Sequence, residues 1–158
     1  KPSDSYLSLQ AAGTGFTGRW DIALRDLDLA LGLDADGDGR ITWGELRARH
    51  ADIAALAGAG LALQADGQPC TLAVGTQQVD THTDGAYSVL PLAVTCPRAP
   101  AVLTIGYRLF ADIDPQHRGL LNLTAGGASR SRPVGRSIES PALHPHTGAP
   151  HHVRLRPT

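Results

Sequence analysis

One segment limits what this chain can fold into more than any other: residues 33–46, LDADGDGRITWGEL. Counted from Asp34, aspartates stand at positions 1, 3 and 5 (Asp34, Asp36, Asp38). Gly39 follows at position 6, Arg40 at 7, Ile41 at 8, Thr42 at 9 and Glu45 at 12. This is the EF-hand calcium-loop pattern at each diagnostic position. Calcium is a hard cation that takes 6–8 oxygens, so alternating aspartates can converge on one ion. Gly39 permits the sharp turn that other residues adopt only at a cost. Arg40 contributes its carbonyl oxygen, Thr42 acts through a water, and Glu45 supplies two oxygens from the first turn of the next helix. Ile41 points inward. Four acids and a glycine in this register arise by chance roughly once in a million sites. A solvated acidic turn is the alternative, since Asp-x-Asp-Gly is a common turn composition. The bidentate glutamate and larger cage favour calcium over magnesium. No second loop of this kind occurs, so the ion is expected to staple a fold, not to open a groove.

The loop demands flanking helices, and the sequence provides them amid strands. Asp26 can cap a short helix through Leu31, with Gly32 ending it, although the leucine alternation also fits a continued strand. Leu46, Ile53 and Leu56 predict a helix over 43–57, stopped by Gly58 and Gly60. Before this insertion, alternation predicts strands over 3–10 and from Trp20 to Leu24. After it, strands are expected over 61–66, 70–82, 86–96, 101–110, 119–126 and 151–157. The expected class is α+β, mainly β: an antiparallel, Ig-like β-sandwich forming a single domain over 1–158. The EF-hand insertion spans about 26–58, and a flexible, loop-rich tail covers about 128–150.

Cys70 and Cys96 flank the turn signal Asp84-Gly85, whose position places the two cysteines nearly opposite each other. A disulfide is expected, and with it an oxidising compartment; two buried free thiols are the alternative. The chain begins with Lys1, as a chain relieved of a signal peptide would, though an arbitrary boundary gives the same start. There is no 18-residue apolar run to span a membrane. The near balance of 14 basic and 15 acidic residues argues against a nucleic-acid surface.

Two further sets of potential ligands stand out. Asp112, Asp114 and His117 lie close together in FADIDPQHRGLL, and either form a second candidate metal site or shape a turn. His144, His146, His151 and His152 offer imidazoles suited to nickel, copper or zinc, or a solvated loop. Arg130, Arg132 and Arg136 make a small basic patch, which reads as a solvated loop before a surface for acidic lipid. The chain carries no GxSxG, HExxH, Walker A or strand-helix GxGxxG motif, and an enzyme is not expected.

The segments KPSDSYLSL, GRWDIALRDLDLALGLDADGDGRITWGEL and YRLFADIDPQHRGLL resemble the N-terminal extracytoplasmic region of bacterial HupE/UreJ-like membrane proteins, over most of residues 1–125. The resemblance implies a signal peptide before the domain and a bundle of transmembrane helices after it. It also implies a periplasmic or cell-surface location, tethered to a membrane-embedded portion of the same precursor. HupE and UreJ proteins are associated with nickel or cobalt uptake, an activity of their membrane part, so no transport residue carries over. The expected function is calcium binding by an extracytoplasmic domain with a structural, interaction or regulatory role. The runner-up is a periplasmic module that captures nickel, cobalt or copper for a transporter, using the late histidines or Asp112, Asp114 and His117.

Overall fold

The computed structural model describes residues 3–125, 128–134 and 137–140, with side-chain packing through residue 124. Alternation builds the first hairpin. In β1 (Asp4–Ala12), Ser5, Leu7 and Leu9 are buried while Tyr6, Ser8 and Gln10 face outward. β2 (Gly15–Ala23) pairs antiparallel with it, Leu7 opposite Trp20. The chain then leaves the sheet at once. Helix α1 (Leu24–Leu31) buries Leu24 and Leu27 and ends at Gly32, whose φ of +66° forms a left-handed cap. The helix thus starts at Leu24, and Ala23 occupies the cap position without a side-chain bond. Asp26 does not cap: its carboxylate accepts a hydrogen bond from the Ser3 hydroxyl at 2.6 Å.

The helix expected over 43–57 is two helices. α2 (Trp43–Ala48) and α3 (His50–Gly60) meet at Arg49, which leaves helical geometry at φ −109°, ψ 13°. That break has a use. Arg49 Nη1 donates to the carbonyls of Leu31 (3.0 Å) and Gly32 (3.3 Å), so its cation lies at the C-terminal end of α1.

The remaining strands are β3 (Leu61–Ala65), β4 (Gln68–Pro69), β5 (Thr71–Val74), β6 (Gln78–His82), β7 (Gly85–Thr95), β8 (Leu103–Tyr107), β9 (Arg118–Ala125), β10 (Ala128–Val134) and β11 (Ser137–Ser140). One sheet runs β10-β9-β1-β2-β7-β5, with β6 also paired to β7; the other runs β11-β8-β3-β4. The protein is therefore mainly β with a small helical part. Leu7, Leu9, Trp20, Ile22 and Leu90 from the first sheet share one core with Leu61, Leu63, Leu103 and Ile105 from the second. Trp20 and Tyr107 meet across it with ring centroids 5.8 Å apart. From the helices, Leu27, Leu46, Ile53 and Ala57 complete it.

Three expectations change. The first sheet is mixed, not purely antiparallel: β1 and β9 are parallel, Tyr6 opposite Leu120. The strand before β9 lies in the other sheet, and residues 108–117 carry the chain back so that β9 enters alongside β1. The strand over 70–82 is broken at 75–77, where the buried Gln77 bonds sideways to the Leu46 carbonyl and to Ser88. Residues 128–134 and 137–140 of the loop-rich tail form β10 and β11, each at the outer edge of its sheet. Pro133 is tolerated in β10 because an edge strand pairs on one side only. The strand expected over 151–157 lies outside the described residues.

Cys70 and Cys96 are joined by a disulfide, with Cα atoms 4.3 Å apart. Thr71 pairs with Thr95, so the bridge lies one position beyond the end of the β5–β7 ladder. It closes a separation of 26 residues, a length for which a cross-link stabilises by about 3 kcal/mol. Replacing both cysteines by serine is expected to lower the unfolding free energy by about that amount. Urea titration of the variant beside the oxidised protein measures it.

Candidate metal centre

Residues 33–42 connect α1 to α2. Leu33 is buried and Ile41 packs against the core, so both ends of the loop are anchored while Asp36, Asp38 and Arg40 face solvent. The backbone coils around Asp34. Gly39 N–H donates to Asp34 Oδ2 at 2.7 Å, and Asp38 N–H lies 3.2 Å from both Asp34 Oδ1 and Asp36 Oδ1. The Arg40 amide donates to Asp38 Oδ1 at 2.8 Å. Gly39 holds φ +79°, the left-handed region in which a side chain is strained. From the helix side, the Asp34 amide donates to Asp28 Oδ1 at 2.9 Å.

These bonds bring one carboxylate oxygen each from Asp34, Asp36 and Asp38 within 4.8 Å of one another. Two oxygens bound to one calcium at about 2.3–2.6 Å lie at most about 5 Å apart, so the three can share one ion. The donor set, all oxygen and mostly anionic, fits a hard divalent cation. Glu45 and Thr42 are placed differently. They form a reciprocal capping box at the start of α2: the Glu45 amide donates to Thr42 Oγ1 and the Thr42 amide to Glu45 Oε1. Glu45 Oε2 also accepts from the Ala35 amide at 2.8 Å, so its carboxylate spans the mouth of the loop.

The electrostatics follow from this crowding. Desolvation pushes the Asp34 carboxyl up, but the Gly39 amide and the bonds with Asp36 and Asp38 outweigh it and hold Asp34 below the ordinary aspartate value. Hydrogen bonding with Asp34 raises Asp36, against the Asp38 amide. Amide donation from Thr42 and Ala35 keeps Glu45 below the usual glutamate value.

The second candidate set does not assemble. Asp112 is exposed, and Asp114 Oδ1 accepts from the Gln116 amide at 3.0 Å, shaping the turn. The His117 ring is hydrogen-bonded elsewhere. Its Nδ1 lies 2.5 Å from Ser3 Oγ and its Nε2 2.6 Å from Tyr107 Oη, so neither nitrogen is open to a metal. His144, His146, His151 and His152 lie outside the described residues.

Sequence reasoning overlooked one cluster. Asp21, Asp80 and His82 also bring ligand atoms within 4.8 Å of one another. Arg19 fills it, however. The guanidinium donates to both oxygens of the buried Asp21 carboxylate (2.9 and 2.7 Å) and reaches Asp80 at 3.4 Å. His82 Nε2 lies 2.9 Å from Asp21 Oδ2 while its ring stacks on Tyr87 at 3.9 Å. The positive charge that a metal would bring is already supplied, and the set reads as a half-exposed ion pair around the buried Asp21. Its members come from β2 and β6, with no local spacing to reveal them.

Neither the models of known protein families nor the curated proteins match this chain. The loop is therefore interpreted on its own geometry. Removing the Thr42 hydroxyl deletes half of the capping box, and Thr42→Ala is expected to cost about 1 kcal/mol even without added metal. Urea unfolding in the presence of chelator tests this.

Proposed function

We propose that this chain is a calcium-binding domain, located outside the cytoplasm and tethered to a membrane-associated protein. In this reading its two sheets form an Ig-like sandwich, and residues 24–60 are an EF-hand helix-loop-helix inserted into it. The observation that carries the reading is the convergence of Asp34, Asp36 and Asp38 on a region the size of one calcium shell. When bound, the ion supplies a concentrated positive charge. The chain's own residues do the rest. The three aspartates provide side-chain oxygens, Arg40 its carbonyl, Thr42 a water-mediated contact and Glu45 its carboxylate on release from the Ala35 and Thr42 amides. The role is to hold a fold or present a surface to a protein partner, not to catalyse.

The disulfide supports the location, because such bridges persist in oxidising compartments. Among the described residues no helix is long and apolar enough to cross a membrane. Tethering therefore rests on the resemblance to HupE/UreJ-like proteins.

Calcium added to chelator-treated protein is expected to raise the melting temperature and change the fluorescence of Trp43, which is 47% exposed at the start of α2. At calcium about 100-fold above the dissociation constant the gain is about 2.7 kcal/mol. Asp34→Ala is expected to abolish both responses and keep the disulfide. A wild-type protein indifferent to millimolar calcium in both observables would end the calcium reading.

A further inference from the structure

A second set of polar residues forms a hydrogen-bonded chain inside the protein, apart from the calcium loop. It runs from Asp26 on α1 through Ser3, His117, Tyr107 and Ser5 to Trp20 on β2. Ser5 and Trp20 are fully buried and Tyr107 is 3% exposed. Tyr107 reaches this position because Gly119 has no side chain: a Cβ there would sit 2.6 Å from the ring.

The Asp26 carboxylate only accepts, so Ser3 must donate to it, and with a neutral His117 the direction of every other bond follows from that end. Trp20 Nε1–H can only donate, so Ser5 Oγ accepts from it at 3.0 Å. The Ser5 hydroxyl then donates to Tyr107 Oη, and the Tyr107 hydroxyl donates to His117 Nε2. With Nε2 accepting, the neutral ring carries its proton on Nδ1 and donates to Ser3 Oγ. Ser3 passes its own hydrogen to Asp26 Oδ2 at 2.6 Å. Each group is satisfied once, and only with a neutral His117.

Protonation upsets this order at one end. An imidazolium still donates to Ser3 and is attracted by Asp26. Its new Nε2–H, however, must donate to Tyr107 Oη. The Tyr107 hydrogen must then turn to Ser5, which already receives the indole N–H, and the Ser5 hydrogen loses its acceptor. We propose that His117 is an acid-sensitive link between the two sheets: one added proton puts one hydrogen too many into the buried chain and loosens the Tyr107–Ser5–Trp20 junction.

The surroundings agree in direction. Burial pushes the His117 imidazole below its ordinary value of 6.5. The acids that face it, Asp26 from α1, Asp114 from the turn and Asp4 from β1, oppose this and are outweighed. Arg118, next in the chain, is paired to Asp4 at 3.1 Å, and the Phe110 ring meets the imidazole in a T-shaped contact, 80° between planes and 4.8 Å between centroids. The folded value lies below the unfolded one. The link's contribution is therefore complete above about pH 6.5 and is lost as pH falls through that value, levelling off below the folded one.

The test needs no calcium, so its outcome is separate from that of the metal reading. Long-range proton–nitrogen NMR at about pH 7.5 is expected to show His117 protonated on Nδ1, titrating with a midpoint below 6.5. The Trp20 indole N–H resonance is expected to shift with the same midpoint, and not to shift in His117→Gln. The wild type is also expected to lose more of its urea midpoint than His117→Gln between about pH 7.5 and about pH 5. An Nε2–H tautomer, a midpoint above 6.5, or a Trp20 resonance that ignores His117 would each overturn the proposal, and the NMR arm decides it even where the variant does not fold.

Discussion

A chain that builds two sheets must cross between them, and each crossing exposes backbone groups that no strand pairs. Buried backbone donors and acceptors left alone cost more than a hydrogen bond returns. Here the described crossings carry their own fasteners. Residues 24–60 lead from β2 to β3 and hold the acidic loop, with Arg49 tying the end of α1 to the α2–α3 joint. The passage from β4 to β5 holds Cys70, bridged to Cys96 at the end of β7. Between β7 and β8, Asp66 accepts from the amides of Ala101 and Val102 and from Arg98. Amide donation from Val102 above all keeps its carboxyl below the ordinary value, against desolvation. The last of these passages, from β8 back to β9, holds His117.

These ties join the helical segment and the sheets in one packed unit. The insertion is not a module on a stalk. Ser3 reaches Asp26 on α1, Gln77 reaches the Leu46 carbonyl on α2, and Leu27, Leu46 and Ile53 lie in the common core. A fully buried leucine contributes about 1.5–3 kcal/mol by leaving water. Any motion that swung these helices outward would forfeit several such terms together.

The sequence showed most clearly what depends on local spacing. The acidic loop, the hairpin turn near Asp84 and the cysteine pairing all follow from residues a few positions apart or symmetrically placed about a turn. Alternation located β1, β7 and β9 to within two residues and caught only the second half of β2. What stayed hidden depends on distant partners. Arg49 breaks a helix to reach carbonyls of α1, and no pattern near residue 49 announces that. Closeness in sequence left Asp112, Asp114 and His117 readable as a metal site or as a turn. His117 instead faces Ser3, brought to it by the parallel pairing of β1 and β9, and Tyr107 at the end of β8. β10 and β11 carry serine, arginine and proline, a composition that conceals edge strands, whose pairing needs only backbone on one side.

The same cross-ties bear on what an ion at Asp34 would do. A signalling hand needs two helix arrangements of similar free energy, so that binding can select one. Here α1 is fixed at its start by Asp26, in its middle by Leu27 and at its end by Arg49. An alternative arrangement would break all three attachments. Calcium binding would have to supply that cost from the difference in its affinity for the two states. A loop whose three aspartates already converge would give calcium little such difference to draw on beyond the release of Glu45 from its amides. Mutual repulsion between unit charges at about 4 Å costs about 1 kcal/mol per pair in water and more near a protein surface. The ion would remove that repulsion where the carboxylates already stand. Its free energy would then go into the crossing itself, stiffening the passage from β2 to β3 much as the disulfide stiffens the passage from β4 to β5.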